Sequence, residues 1–401
     1  MTAALLLDLT AAFDVVDHEI LLKKLKVYNF SKSAVKWFKS YLNDRLQVVQ
    51  VDSKLSEQLP IGDQGVPQGS LLGPILFLIY YNDFPNSREE GMSVLYADDD
   101  TDNVSDSDPQ ILQNKIQREA DLSTTWVKDN KLVCSGPKTK LLVVGTKELR
   151  KSKLIDPNIV IKIMVDGFQV EESTSERLLG IIMNNTLTWE HHLYGDQENK
   201  GLLEKLSYRA GLVSKLSRVM PRNRLKTMAE GLFFSVLNYG IEVYANTWTV
   251  ATLDEQNRNS TAFNKEDNRK LQILVNKVLR YLTNLNYEAS TRQLHEESGQ
   301  LSVHQRCAYF SLVSMHKILK KNQPAYHHSR FSQQTYNRIE TRNKGSFGIH
   351  YRLSISRCSY FYRSSRLYML LPNDLVIIDK LEHFKKHVKN WVKKNISLSP
   401  T

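Results

Sequence analysis

The sequence predicts an α+β protein, and three observations carry that expectation. Residues 1 to about 150 alternate short apolar runs of strand length with helical stretches; from Gly201 to Trp248 the periodicity is helical; and beyond a polar stretch, Arg269 opens a mostly helical C-terminal region. At 401 residues the chain can bury a large core and is expected to split into two or three domains.

The first strand is Ala3 to Leu9, an apolar run suited to a buried position, with Asp8 almost at its end. A carboxylate there is costly unless it is paired or metal-bound. Helices are expected around His18 to Tyr28 and Ser33 to Leu42, with Asp17 capping the first and His18 on its surface. Leu46 to Val51 then reads as a strand. In Gly65-Val66-Pro67-Gln68-Gly69-Ser70, two glycines flank Pro67-Gln68 and predict a tight loop whose backbone can approach a ligand. The apolar run after Pro74 predicts a buried helix. An ordinary Gly-Pro turn before a core helix would look the same in isolation.

Met92 to Tyr96 reads as a strand that runs into Ala97-Asp98-Asp99-Asp100-Thr101-Asp102, with Asp98 and Asp99 at the tip of a hairpin. Taken alone, such a cluster also suits a solvated turn. Taken with Asp8, it offers three acidic oxygen ligands, the donor set that a pair of Mg²⁺ ions needs to activate a hydroxyl and steady a leaving pyrophosphate.

In this order the segments resemble the reverse transcriptase of non-LTR (LINE-type) retrotransposons. Asp8-Leu9-Thr10-Ala11-Ala12-Phe13-Asp14-Val15-Val16-Asp17-His18 is similar to the family's first palm motif, Gly65 to Ser70 to its second, and Tyr96-Ala97-Asp98-Asp99 to its third. The likeness continues through Trp126 to Leu132, Lys138-Thr139-Lys140, Arg177 to Ile181 and Leu187-Thr188-Trp189. It implies a polymerase palm, an antiparallel sheet with packed helices, followed by a helical thumb and a helical C-terminal extension. By that reading residues 1–150 are the palm, 151–250 its end and the thumb, 251–266 a linker, and 267–401 a basic helical region.

The resemblance also implies roles. Asp8, Asp98 and Asp99 would hold two Mg²⁺ ions, with Mn²⁺ as a substitute. Phe13 would lie under the deoxyribose and leave no room for a 2′-hydroxyl, although a core aromatic at a strand-to-helix turn would read alike. Gln68 and Gly69 would face the template or the nascent base pair, and Lys138 the triphosphate. The partners implied are an RNA template, a DNA primer and dNTPs. The sequence begins seven residues before Asp8, so the family's fingers segment and endonuclease are expected to be absent from it.

Composition agrees with a nucleic-acid enzyme. The formal charge of +11 and pI near 9.3 favour a polyanionic partner. Cys134, Cys307 and Cys358 are few and widely spaced, which suits the reducing cytoplasm or nucleus and excludes a zinc knuckle. No apolar stretch reaches the roughly 18 residues needed to span a bilayer. Lys205, Arg209, Lys215, Arg218, Arg222, Arg224 and Lys226 would contact the nucleic-acid backbone from the thumb. Near the C-terminus Arg357, Arg363 and Arg366 interleave with aromatics, either as a clamp for single-stranded RNA or as a small core with a basic rim. The sequence thus leaves two functions open: an RNA-directed DNA polymerase, or a catalytically silent remnant that only binds RNA.

Overall fold

The computed structural model describes residues 1–145, 160–196, 198–245, 265–321, 323 and 360–398. The chain divides into two compact units, one of Met1–Arg177 with Asn184–Leu187, the other of Leu178–Met183 with Thr188–Thr401.

The first unit is built on a six-stranded sheet. From one edge its strands are Met92–Tyr96, Asp99–Ser105, Thr2–Leu7, Lys140–Val144, Phe168–Ser173 and Lys162–Val165. The strand leading to Asp8 is therefore central, flanked on both sides by antiparallel partners. Its residues alternate, with Ala3, Leu5 and Leu7 buried on the inner face. One pairing corrects the expectation of a wholly antiparallel sheet: Phe168–Ser173 runs parallel to Lys140–Val144. The hairpin from Lys162 to Ser173 joins the sheet through its second strand, which sets that direction.

Helix Pro109–Asp129 buries Leu112, Ile116, Ala120 and Val127 in the core that the inner face of the sheet supplies. Its start is fixed by Asp108, whose side chain accepts from the amides of Gln110 and Ile111, with Pro109 in the first turn. Helix Leu72–Tyr81 is apolar almost throughout and buries Leu76, Phe77, Tyr80 and Tyr81. Helices His18–Val27 and Lys32–Leu42 are capped by Asp17 and Ser31. The strand expected over Leu46 to Val51 is broken into two-residue pieces, Leu46–Gln47 and Gln50–Val51, each in its own small ladder. Their side chains are exposed, so no core face holds a longer strand together.

The second unit is helical. Helices Leu202–Leu216, Arg222–Ala229, Lys265–Thr283 and Thr291–Ser298 share one apolar core, including Leu206, Val213, Phe233, Leu271 and Leu294. A second core joins Val303–Lys321, Tyr360–Met369 and Leu381–Asn395 through Leu312, Met315, Leu367, Phe384 and Val388. Most of the stretch read as a linker, residues 251–264, lies outside the described residues, and helix Lys265–Thr283 already contains Lys265 and Glu266. No helix among the described residues is long and apolar enough to cross a membrane.

Candidate active site

Strands Met92–Tyr96 and Asp99–Ser105 pair in the register Tyr96↔Asp99, leaving Ala97 and Asp98 as a two-residue turn. Ala97 has φ +56°, and Asp98 is not in the left-handed region. Positive φ at the first central residue alone is the pattern of a type II′ turn, which matches the twist of the flanking strands. An alanine there stores strain of about 1 kcal/mol or more, offset by the pairing on either side.

Register decides which carboxylates meet. Leu7 pairs with Asp100 and Leu5 with Asp102. Side chains alternate between faces, so Asp100 and Asp102 share the buried face of Leu5 and Leu7, whereas Asp8 and Asp99 fall on the other. Asp99 is exposed and Asp98 half-buried at the tip. Burial first, then the charges of Asp98 and Asp8, hold the Asp99 carboxyl above the usual carboxylate range. The three carboxylates are thus electrostatic neighbours.

Oδ2 of Asp8 is buried without a hydrogen-bond partner. The turn Ser135–Thr139 is pinned to the same strand by Ser135 N donating to Asp8 O at 2.8 Å, and it carries Lys138, whose Nζ lies 4.0 Å from Asp8 Oδ2. Among the described residues no three His, Cys, Asp or Glu side chains are drawn close enough to form a metal cluster. Asp8 and Asp99 on one face, with Asp98 at the turn, are residues that could hold a divalent cation: their carboxylate oxygens are hard donors, Asp8 Oδ2 has no hydrogen-bond partner, and burial together with the charges of Asp98 and Asp8 raises Asp99.

The loop Gly65 to Ser70 is fastened to the turn that follows Asp8. Val66 N donates to Phe13 O at 2.9 Å and Gly65 N to Val16 O at 2.8 Å. His18, expected on the surface, is instead buried, its Nε2 2.7 Å from Gly65 O. The bond satisfies one ring nitrogen of the buried imidazole, while Nδ1 is buried without a hydrogen-bond partner. Gln68 is exposed and donates from Nε2 to Asp14 Oδ1 at 2.9 Å. Gly69, with φ +79°, has open space around it. Phe13 stacks on Phe77 with ring centroids 4.5 Å apart and remains partly exposed. Phe13, Gln68 and Gly69 thus belong to one joined surface. Lys138 stands separately, beside Asp8.

The C-terminal arginines are placed differently. Arg363 is buried at 3% exposure, so its guanidinium has no open face for a phosphate. Arg366 is half-buried, and Arg357 lies outside the described residues.

Residues 2–183, which contain the sheet, the hairpin and the loop, match the family model described as reverse transcriptase (RNA-dependent DNA polymerase). The chain is 24% identical over 334 residues to a probable RNA-directed DNA polymerase from transposon BS of Drosophila melanogaster, across 81% of this chain and 33% of that one. Residues 2–183 form a reverse transcriptase domain. A second relative of the chain is the RNA-directed DNA polymerase from mobile element jockey of Drosophila funebris, 29% identical over 248 residues, 59% of this chain and 25% of the relative. The chain therefore spans a third or less of the length of these two relatives. A telomerase structure from Candida tropicalis matches at a TM-score of 0.34 and 15% identity over 74% of this chain and 48% of that one, too low to bear on the fold.

Sequence reasoning missed one part of this reverse transcriptase domain. Asp100 and Asp102 are enclosed with Glu119 around a single buried cation, Arg88. Burial, then the charge of Asp102, pushes the Asp100 carboxyl up to about 8. The signal was only partial: carboxylates two apart on a strand share one face, and burying that face calls for a partnering cation or a proton.

Proposed function

We propose that this reverse transcriptase domain is the palm of an RNA-directed DNA polymerase, extending a DNA primer on an RNA template. The observation that carries the reading is the register that gathers Asp8 and Asp99 on one sheet face beside the Asp98 turn while sending Asp100 and Asp102 to the other. Asp8, Asp98 and Asp99 are the ligands for two divalent ions, which when bound lower the pKa of the primer hydroxyl and neutralise charge on the triphosphate.

The chain's own residues do the rest. Lys138, beside Asp8, places a further positive charge near the triphosphate. Phe13, braced by Phe77, presents its ring to the sugar and excludes a 2′-hydroxyl. Gln68, held by Asp14, is oriented toward the template or nascent base pair, and Gly69 leaves room for that strand. The helical second unit is the thumb with its C-terminal extension, offering Lys215, Arg218, Arg222, Arg224 and Lys226, all exposed, to nucleic-acid phosphates.

The test is primer extension on RNA by an Asp98→Asn variant of a polymerase-competent protein. Loss of one metal ligand is expected to raise the barrier by at least ~4 kcal/mol, about a thousandfold in rate. Extension within tenfold of the parent would remove Asp98 from the site.

A further inference from the structure

We propose that Arg88 is a positioning residue for the metal site: from beneath the sheet it locks the strand register of the Met92–Ser105 hairpin and thereby fixes which carboxylates face outward at its tip. The proposal rests on the reading of Asp8, Asp98 and Asp99 as metal ligands.

The Arg88 side chain is 4% exposed and bridges three elements. Its Nε donates to Ser93 Oγ at 3.1 Å on the first hairpin strand. Nη2 lies 3.1 Å from Asp102 Oδ2 and 3.9 Å from Asp100 Oδ2 on the second. The 3.1 Å approach is an ion pair without hydrogen-bond alignment. Nη1 donates to Ser123 Oγ at 2.5 Å and to Glu119 O at 2.9 Å on helix Pro109–Asp129. The guanidinium also lies over the Phe84 ring, 4.1 Å from its centroid.

The other members tie the same parts together. Ser93, paired with Asp102 across the hairpin, donates its hydroxyl to that carboxylate, and Ser123 Oγ stands 3.0 Å from Asp102 Oδ2. Glu119 Oε1 accepts the amides of Glu90 and Gly91 at 2.9 and 3.0 Å, fixing the approach to the hairpin.

Three buried acidic side chains around one guanidinium are a poor way to gain stability, because burying charged or polar groups costs several kcal/mol and apolar side chains of similar volume do as well or better. Its value lies in specificity. Asp98, Asp99, Asp100 and Asp102 are near-equivalent in sequence, and a slip of one residue would turn Asp99 inward and Asp100 outward. Arg88 favours the register that puts Asp100 and Asp102 beside it and leaves Asp99 on the face of Asp8.

The experiment uses the full 401-residue chain and Mn²⁺ as the probe. Mn²⁺ affinity is measured by electron paramagnetic resonance, and hydrogen exchange is followed at the amides of Asp98 and Asp99. Arg88→Lys keeps the charge and loses the fork, and is expected to weaken Mn²⁺ binding by about tenfold and speed exchange at the tip. Ser123→Ala, a milder change, is expected to weaken it by about threefold. A purely structural role would lower the melting temperature and leave the affinity of the folded protein alone. A folded Arg88→Lys variant that binds Mn²⁺ as the parent does overturns the proposal; if Arg88→Lys does not fold, parental affinity in Ser123→Ala overturns it. Asp98→Asn is the control: Mn²⁺ affinity that survives it overturns the metal-site reading itself, and the proposal with it.

Discussion

At the scale of single residues, Phe13 shows how one side chain serves both core and site. Its ring is stacked on Phe77, so its position is set by packing, yet part of it stays exposed. Phe13→Ala is expected to raise the ribo-to-deoxy ratio of kcat/KM by at least about tenfold, since the ring excludes the 2′-hydroxyl sterically, roughly 1.4 kcal/mol of discrimination or more. Thermal stability should fall as well, by a few kcal/mol, because a buried aromatic contact is lost. An unchanged ratio in the folded variant would return Phe13 to a purely packing role. The dual character explains why local sequence left both readings open: a site aromatic and a core aromatic have the same pattern.

At the scale of elements, the loop Gly65 to Ser70 is held by backbone contacts that sequence patterns only partly reveal. Gly73, at the start of the following helix, would place an added Cβ 2.5 Å from Pro67 O, and backbone cannot yield as a flexible side chain can. Gly73→Ala is therefore expected to displace the loop, lowering stability by about 1–3 kcal/mol and raising KM for template-primer more than it lowers kcat. Parental melting temperature together with parental KM would show that the loop tolerates the methyl group. The two-glycine pattern made the tight loop legible. Its anchoring through His18 was not legible, because a histidine at the start of a helix gives no sign that its ring turns inward to Gly65 O.

At the scale of the whole molecule, charge and buried histidines make separate predictions. If the exposed cations of the helical unit contact phosphates, replacing Lys215, Arg218 and Arg222 by Ala should flatten the plot of log affinity for duplex template-primer against log salt by about two to three units, at roughly 0.9 per contact. An unchanged slope would make them a solvated helix face. His192 and His316 are buried, and desolvation first, then nearby lysine charge, pushes each down to about 4. The unfolded chain takes up these protons near pH 6.5 and the folded one only near 4, so ν_U exceeds ν_N across that window and stability falls as pH drops through it. Melting of the helical unit, followed by circular dichroism, should drop between pH 6.5 and 4, and His192→Phe should flatten part of that loss. A pH-independent melting temperature over this range would contradict the burial of neutral imidazoles.

Most elements and the resemblance to reverse transcriptases could be read from neighbouring residues, because the apolar run before Asp8, the glycines around Gln68 and the Tyr96-to-Asp99 hairpin are local signals whose spacing survives without tertiary context. The basic character is legible in the same way, as a sum over the chain. Which members of the acidic run face Asp8 and which are buried around Arg88 depends on cross-strand register and on a cation from a different segment, neither of which local sequence shows. The same holds for Arg363: its place among aromatics left both a clamp and a small basic-rimmed core open, and its burial decided between them. Periodicity is written in neighbouring residues; partnership between distant ones is settled when the faces close.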